Sequence, residues 1–402
     1  MNWKAIAGGV TAAQGYRASG VHCGLKLRNK RDVALIVAEQ PALVAGTVTT
    51  NRLAAAPITF ARQALRRGHA QAIVANSGNA NACTGPQGMT DAEAMVQGAA
   101  QALGIDPRLV IPASTGVIGR PLPIRRILGA LPEAVTALSS RGSHAAAEAI
   151  LTTDLVVKEA AIECTIDGKP VRIGGIAKGS GMINPTMATM FAFVTTDATI
   201  TLPTLRVAVR HAVNQSFNAI TVDGEMSTND LVVVLANGAA GHRPLSAGDG
   251  GLGTFTRALT HVCETLAKAI VKDGEGASRL ITVEIRGAAA AHEAQRAARA
   301  IANSLLVKTM VAGRDPNWGR VAAAVGASGA HLDPRRLTIA LGGIIVFQHG
   351  QATRVNPLHL KRALDHTEVL IGVHLGVGTS HARIWSCDLT EGYIRINAKY
   401  TT

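Results

Sequence analysis

Short apolar runs of strand character alternate with helix-patterned stretches along the whole chain, with no low-complexity linker and no fixed-period repeat. That alternation restricts the fold to an α/β or α+β architecture. Val33–Ala38 and Ala72–Ala75 read as strands, and Leu109-Val110-Ile111 reads as a strand running into Pro112-Ala113-Ser114-Thr115-Gly116. Thr90-Asp91-Ala92-Glu93 has capping-box spacing ahead of Ala94, Met95, Ala99 and Leu103, so a helix is expected over 90–103. Residues 122–138, 143–151, 205–217 and 255–271 have helical patterns. Ile162, Cys164 and Ile166, then Val171 and Ile173, flank Asp167-Gly168 as in a two-residue β-hairpin. From about 280 the pattern restarts, with a strand at 280–285, helical stretches through 292–312 and strands near 337–347, 368–375 and 381–387, which puts a domain boundary near 279.

At 402 residues and 47% hydrophobic content there is ample material for two or three buried cores. The net charge of +13 raises a nucleic-acid reading, but the excess is +8 over residues 1–188 and +5 over 189–402, with no basic tail. The densest basic stretch, Lys26–Arg31, is short and ends at Asp32, and only twelve aromatic residues are available to stack on bases, so no nucleic acid is expected. Five widely spaced cysteines without a C-x-x-C pair suggest reduced, mostly buried thiols rather than disulfides or zinc. Neither a signal-cleavage pattern nor an apolar run of membrane length is present, so the expected setting is cytoplasmic and no membrane partner is expected.

The most unusual stretch is Gly174–Asp197, where a loop of glycines, Lys178 and Pro185 passes at Ala188-Thr189 into an apolar run. Two readings fit the residues. One is a surface loop entering a buried strand. In the other, the Ala188–Thr189 bond is cut and Thr189 becomes a chain terminus, owning a hydroxyl nucleophile and an α-amine of pKa near ~8 that can accept the hydroxyl proton.

This segment and much of the remaining chain resemble the ornithine acetyltransferase (ArgJ-type, glutamate N-acetyltransferase) family. The matching runs include Val74–Ala82, Ser114–Gly119, Thr152-Thr153-Asp154, Lys178–Met190, Ile220–Gly224, Ser227-Thr228-Asn229-Asp230, Lys272–Gly276, Gly313–Arg320 and Ile396–Thr402. Asn184 and Thr186 depart from the family's Met-Ile-His-Pro-Asn-Met form, and Lys399 stands where many relatives carry an acidic or other residue. The resemblance implies a precursor that cuts itself into an α chain, 1–188, and a β chain, 189–402. Its implied fold is a layered α/β sandwich of the DmpA/ArgJ-like type whose β chain begins its first strand at Thr189. In that layout 1–188 and 189–279 form the catalytic domain and 280–402 a smaller C-terminal α/β domain.

The implied activity moves acetyl from N-acetylornithine to glutamate by a ping-pong route through an acetyl-Thr189 ester, in an α2β2 heterotetramer. No metal or organic cofactor is implied, and acetyl-CoA serves some relatives as a second donor. An N-terminal-nucleophile amidase or aminopeptidase would use the same Thr189 with water as acceptor. Thr115 and Gly116 carry the family's oxyanion-hole role, and Thr152, Lys178, Thr189, Glu275, Asn397 and Thr402 its substrate contacts. By residue pattern alone Thr115-Gly116 reads as a polar turn after a strand, and Lys178 as an ordinary solvated lysine. Asp223-Gly224-Glu225 and Asp273-Gly274-Glu275 raise a metal reading, but with no His pair or further acidic cluster at ligand spacing the two aspartates read better as turn and capping residues.

Overall fold

One long strand organises the first half of the molecule. In the computed structural model, which describes residues 3–27, 29–184 and 190–399, β-branched and alanine residues carry the chain as a strand from Val33 to Val48. Before it lie β1 (Trp3–Ala5) and β2 (Tyr16–Val21), so the long strand is β3. It is followed by β4 (His69–Asn79), β5 (Val110–Val117), β6 (Lys158–Ile166), β7 (Lys169–Lys178), β8 (Phe191–Thr196) and β9 (Leu231–Ala236). These nine strands form one sheet in the order β1-β6-β7-β8-β9-β3-β4-β5, with β2 also on β3. β2 pairs with the first half of β3 and β9 with the second. The register against β4 slips between Val37 and Ala42, where exposed Glu39, Gln40 and Pro41 form a bulge; proline has no N–H to give a ladder.

Alternation along β3 and β4 feeds two separate cores. Ala34, Ile36, Ile73 and Ala75 point into one, shared with helices α1 (Ala56–Arg67) and, further along, the short Ser143–Ala149 helix. Val33, Leu35, Ala72 and Val74 point into the other, covered by α2 (Gly85–Leu103) and α3 (Ile124–Thr136); Ser143–Ala149 is therefore α4. The result is a layered α/β unit, completed by α5 (Leu202–Gln215) and α6 (Gly250–Lys272). The β6–β7 hairpin turns at Asp167 (φ 49°) and Gly168 (φ 74°), the two positive torsions of a tight two-residue turn.

One local expectation is corrected. The helix expected to start at Thr90 begins at Gly85, because Pro86 sits in its first turn without needing an N–H partner. Thr90–Glu93 then lies inside it, where Thr90 Oγ1 donates to Pro86 O and Asp91 accepts from Gln87. The strand start expected at Thr189 lies outside the described residues; β8 is described from Phe191, and the Met190 amide before it donates to Asp230 Oδ1 at 2.9 Å.

The chain separates into two compact units, and residues 219–224 belong with 271–400 in the second. There β10 (Leu280–Ala288), β11 (Thr338–Leu341), β12 (Ile344–Gln348), β13 (Gln351–Ala352), β14 (Glu368–His374) and β15 (Ser380–Cys387) form a six-stranded sheet in the order β13-β12-β11-β14-β10-β15. Helices α7 (Ala291–Ala302), α8 (Leu305–Gly313) and α9 (Gly319–Gly326) supply Ala298, Ile301, Met310 and Val325 to its core, followed by α10 (Pro357–Ala363) and α11 (Glu391–Lys399). Segment 219–224 is laced to β15 through Thr221 N donating to Trp385 O at 2.9 Å. All five cysteines are free thiols; Cys164, Cys263 and Cys387 are buried and Cys83 is exposed. Among the described residues no helix is long and apolar enough to cross a membrane.

Candidate active site

Lys178 ends β7 with its ammonium in the interior, not in solvent: the residue is 2% exposed. Its Nζ donates to Thr152 Oγ1 at 2.8 Å and reaches Thr115 Oγ1 at 3.5 Å. Three residues singled out from the sequence are thus assembled by one side chain. Of the two neighbouring threonines, it is the Thr152 hydroxyl that meets the cation.

The charge on Lys178 is balanced by Asp154, 3.9 Å away and fully buried. Asp154 accepts from the amides of Thr152 (3.0 Å) and Gly179 (2.7 Å) and from Lys158 Nζ (2.7 Å). Burial on its own would raise this carboxyl, but the Lys178 and Lys158 charges and these hydrogen bonds outweigh it and hold Asp154 well below the ordinary carboxylate range. Lys26, from the basic stretch, turns inward to donate to Leu151 O at 2.9 Å. Burial pushes its ammonium down to about 8, opposed by Asp32.

Thr115 and Gly116 are positioned by a polar frame. Gly116 has φ 133°, and a Cβ there would lie 2.4 Å from the Gly78 carbonyl carbon, so only glycine lets β5 end against β4 in this way. Ser114 Oγ donates to Asn76 Oδ1 at 2.6 Å, and Asn229 Nδ2 donates to both Ser114 O and Ala80 O at 2.6 Å. Next to Asn229, Asp230 accepts from the Met190 amide. Asn76, Asp154, Lys158, Asn229 and Asp230 were given no role from the sequence, although all but Lys158 fall in the family-like runs.

In the second unit Asn397 Nδ2 donates to Glu275 Oε2 at 2.8 Å. Gly276 (φ 69°) turns the chain directly after Glu275, where a Cβ would meet Tyr393 N at 2.3 Å. Asp273 lies in a turn and Asp223 in a bend, where the Tyr393 hydroxyl donates to Asp223 Oδ2 at 3.4 Å. Among the described residues no group of three or more His, Cys, Asp or Glu could hold a metal ion. Ala188, Thr189 and Thr402, the expected cleavage site, nucleophile and C-terminal contact, lie outside the described residues, as does Thr186.

The model of the ArgJ family matches residues 17–402. The chain belongs to the ArgJ family. The arginine biosynthesis bifunctional protein ArgJ of Symbiobacterium thermophilum is 49% identical over 100% of both chains, and its namesake in Thermosynechococcus vestitus is 48% identical over the same coverage. The crystal structure of the arginine biosynthesis bifunctional protein of Bacillus halodurans is 43% identical with a TM-score of 0.52, covering 53% of this ArgJ-family chain and 100% of that one.

Proposed function

We propose that the chain is a self-processing N-terminal-threonine acetyltransferase, carrying acetyl from N2-acetyl-L-ornithine to L-glutamate in arginine biosynthesis. The observation that carries this reading is the buried Lys178 ammonium set against the Thr152 and Thr115 hydroxyls, on the strand that leads toward Thr189. A cation fixed beside an oxyanion-type donor pair favours acyl transfer with developing negative charge.

Thr189 Oγ first attacks the Ala188 carbonyl, the peptide C–N bond breaks, and water releases residues 1–188 as an α chain. In turnover the Thr189 α-amine takes the hydroxyl proton as Oγ adds to the acetyl group, and Thr115 and Gly116 face the oxyanion. Its collapse expels ornithine, and glutamate nitrogen then takes the acetyl group from the ester by the reverse steps. Lys178, Thr152, Glu275, Asn397 and Thr402 are assigned to substrate binding. The whole Bacillus halodurans chain corresponds to 53% of this one, the share that residues 189–402 make up, which supports processing at this bond. Acetyl-CoA is proposed as a second donor; the relatives' names say only that those proteins are bifunctional. The proposed steps use no metal or organic cofactor, and the α and β chains are proposed to pair as α2β2 in the cytoplasm.

Incubation with N-acetylornithine, with and without glutamate, tests the transfer. Ornithine release should require glutamate and match N-acetylglutamate formation; equal release without glutamate would make water the acceptor and the protein an amidase. On a denaturing gel two fragments are expected, replaced by one 41.5 kDa band in Thr189→Ala.

A further inference from the structure

Asp230 is completely buried, and its Oδ1 accepts from the Met190 amide at 2.9 Å. Met190 directly follows Thr189. The Asp230 main chain is fixed separately, its carbonyl accepting from Thr49 N at 3.0 Å. The Thr49 hydroxyl gives its single proton to Ser227 O at 2.7 Å. Asp230 Oδ2 has no hydrogen-bond partner among the described residues. A buried oxygen left bare costs about 1–3 kcal/mol, so a donor that reached Oδ2 would recover that cost.

We infer that Asp230 is a positioning residue for the terminal amine created by cleavage at Thr189, forming the third member of a hydroxyl–amine–carboxylate relay. The inference rests on Thr189 being the cleaved nucleophile. The α-nitrogen of residue 189 is joined to Met190 N through one Cα and one carbonyl carbon, so bond lengths and angles keep the two nitrogens within about 3.7 Å. A carboxyl already on the Met190 amide is therefore one residue along the chain from that amine. Burial raises this carboxyl well above the ordinary range, against the Met190 hydrogen bond and the attraction of Lys178, which is itself faced by Asp154 and Lys26. The Met190 amide and Lys178 favour the ionised form, and an adjoining ammonium favours it further.

In the working form the carboxylate accepts one N–H of the neutral amine and leaves the lone pair for the Thr189 hydroxyl proton. As Oγ–C forms and the carbonyl pair moves onto oxygen, that proton makes an ammonium, which Asp230 stabilises. When the C–N bond to ornithine breaks, the proton goes to the departing nitrogen and Asp230 is unchanged. The arrangement orients the base as a third group does in other nucleophile–base pairs.

Asp230→Asn in the full chain keeps an oxygen for the Met190 amide and removes the charge. It should still process into two fragments, with kcat lowered about tenfold to a hundredfold and KM changed less than about threefold. Losing a neighbouring carboxylate lowers the amine's pKa, so the acid limb of the kcat/KM profile should move about one unit to lower pH. Wild-type kcat with an unmoved limb overturns the inference. Should the variant not fold, pH-dependent labelling of the Thr189 amine in the wild-type protein decides: half-titration above the ~8 of an ordinary terminus is expected, and a value at or below it refutes the role. Thr189→Ala separates the two layers, because a cleaved or active Thr189→Ala protein removes the nucleophile reading itself.

Discussion

Replacing Asp154 with Asn removes the carboxylate that faces two buried ammonium groups, Lys158 at 2.7 Å and Lys178 at 3.9 Å. At about 4 Å and an effective dielectric near 20 the lost attraction to Lys178 alone is about 4 kcal/mol. Breaking one side of a buried pair costs about 3–5 kcal/mol in practice, because the cation keeps its desolvation penalty while losing that attraction. The Asn nitrogen also brings a donor against Lys158 Nζ or the Gly179 and Thr152 amides, which all need an acceptor. At about 2–4 °C per kcal/mol for a unit of this size, the calorimetric transition of the first unit should fall by about 6–20 °C. The comparison is best made in the Thr189→Ala background, where each molecule is one uncut chain. Adding Lys158→Met should restore part of the loss, since it removes one of the two buried positive charges. The depressed Asp154 carboxyl stabilises the fold above about pH 4 and loses that contribution only as pH falls through its native value, so the gap between Asp154→Asn and its parent should close in strong acid. A decrease under about 3 °C at pH 7, or a second substitution that only adds to the damage, would refute the charge-balance account.

Gly116→Ala forces a Cβ to 2.4 Å from the Gly78 carbonyl carbon at φ 133°; activity assays should show turnover reduced about 10²–10³-fold even where the chain still folds. Lys26, with its ammonium pushed down to about 8, should react with amine-directed reagents near pH 8 well ahead of surface lysines, as read by mass spectrometry. Between about 8 and 10.5 the folded chain holds fewer protons at Lys26 than the unfolded one, so this residue's contribution to stability rises with pH across that window. Lys308→Met should destabilise the second unit by at least about 2 kcal/mol in urea titrations, because Nζ serves Val222 O (2.6 Å), Cys387 O (2.5 Å) and Ser386 Oγ (3.2 Å), and methionine serves none of them.

What could be read from residues alone is what short-range chemistry decides. Asp167-Gly168 announces its turn because both residues tolerate positive φ, and alternation in the flanking strands agrees with it. The Thr90–Glu93 pattern misleads for the same local reason: capping spacing carries no information about Pro86, which had already started the helix. Lys178 as a string character is a solvated lysine; its burial becomes visible only when β7 delivers it to Thr152 and Asp154, some 25 residues away in sequence. Asp154 and Asp230 stayed without a role because a buried carboxylate is defined by distant partners. Their one sequence signal was position within the Thr152-Thr153-Asp154 and Ser227–Asp230 runs.

That last run links the two halves of the proposed chemistry. Asn229 holds the Ser114 and Ala80 carbonyls, beside Thr115 and Gly116, while Asp230 holds the Met190 amide, so consecutive residues fix the end of β5 and the residue just before β8 relative to each other. The spacing between them is then set by a single peptide unit. Asn229→Asp is the informative perturbation. It preserves shape but replaces the donor of two 2.6 Å hydrogen bonds with an oxygen facing two carbonyl oxygens in a site that is 4% exposed. Asn229→Ala orphans the same carbonyls, at about 1–3 kcal/mol each, but introduces no repulsion. If donation by Asn229 fixes the strand end, Asp must be the more damaging substitution in both melting temperature and kcat. A milder effect of Asp than of Ala would mean that side-chain volume, not hydrogen bonding, holds Thr115 and Gly116 in place.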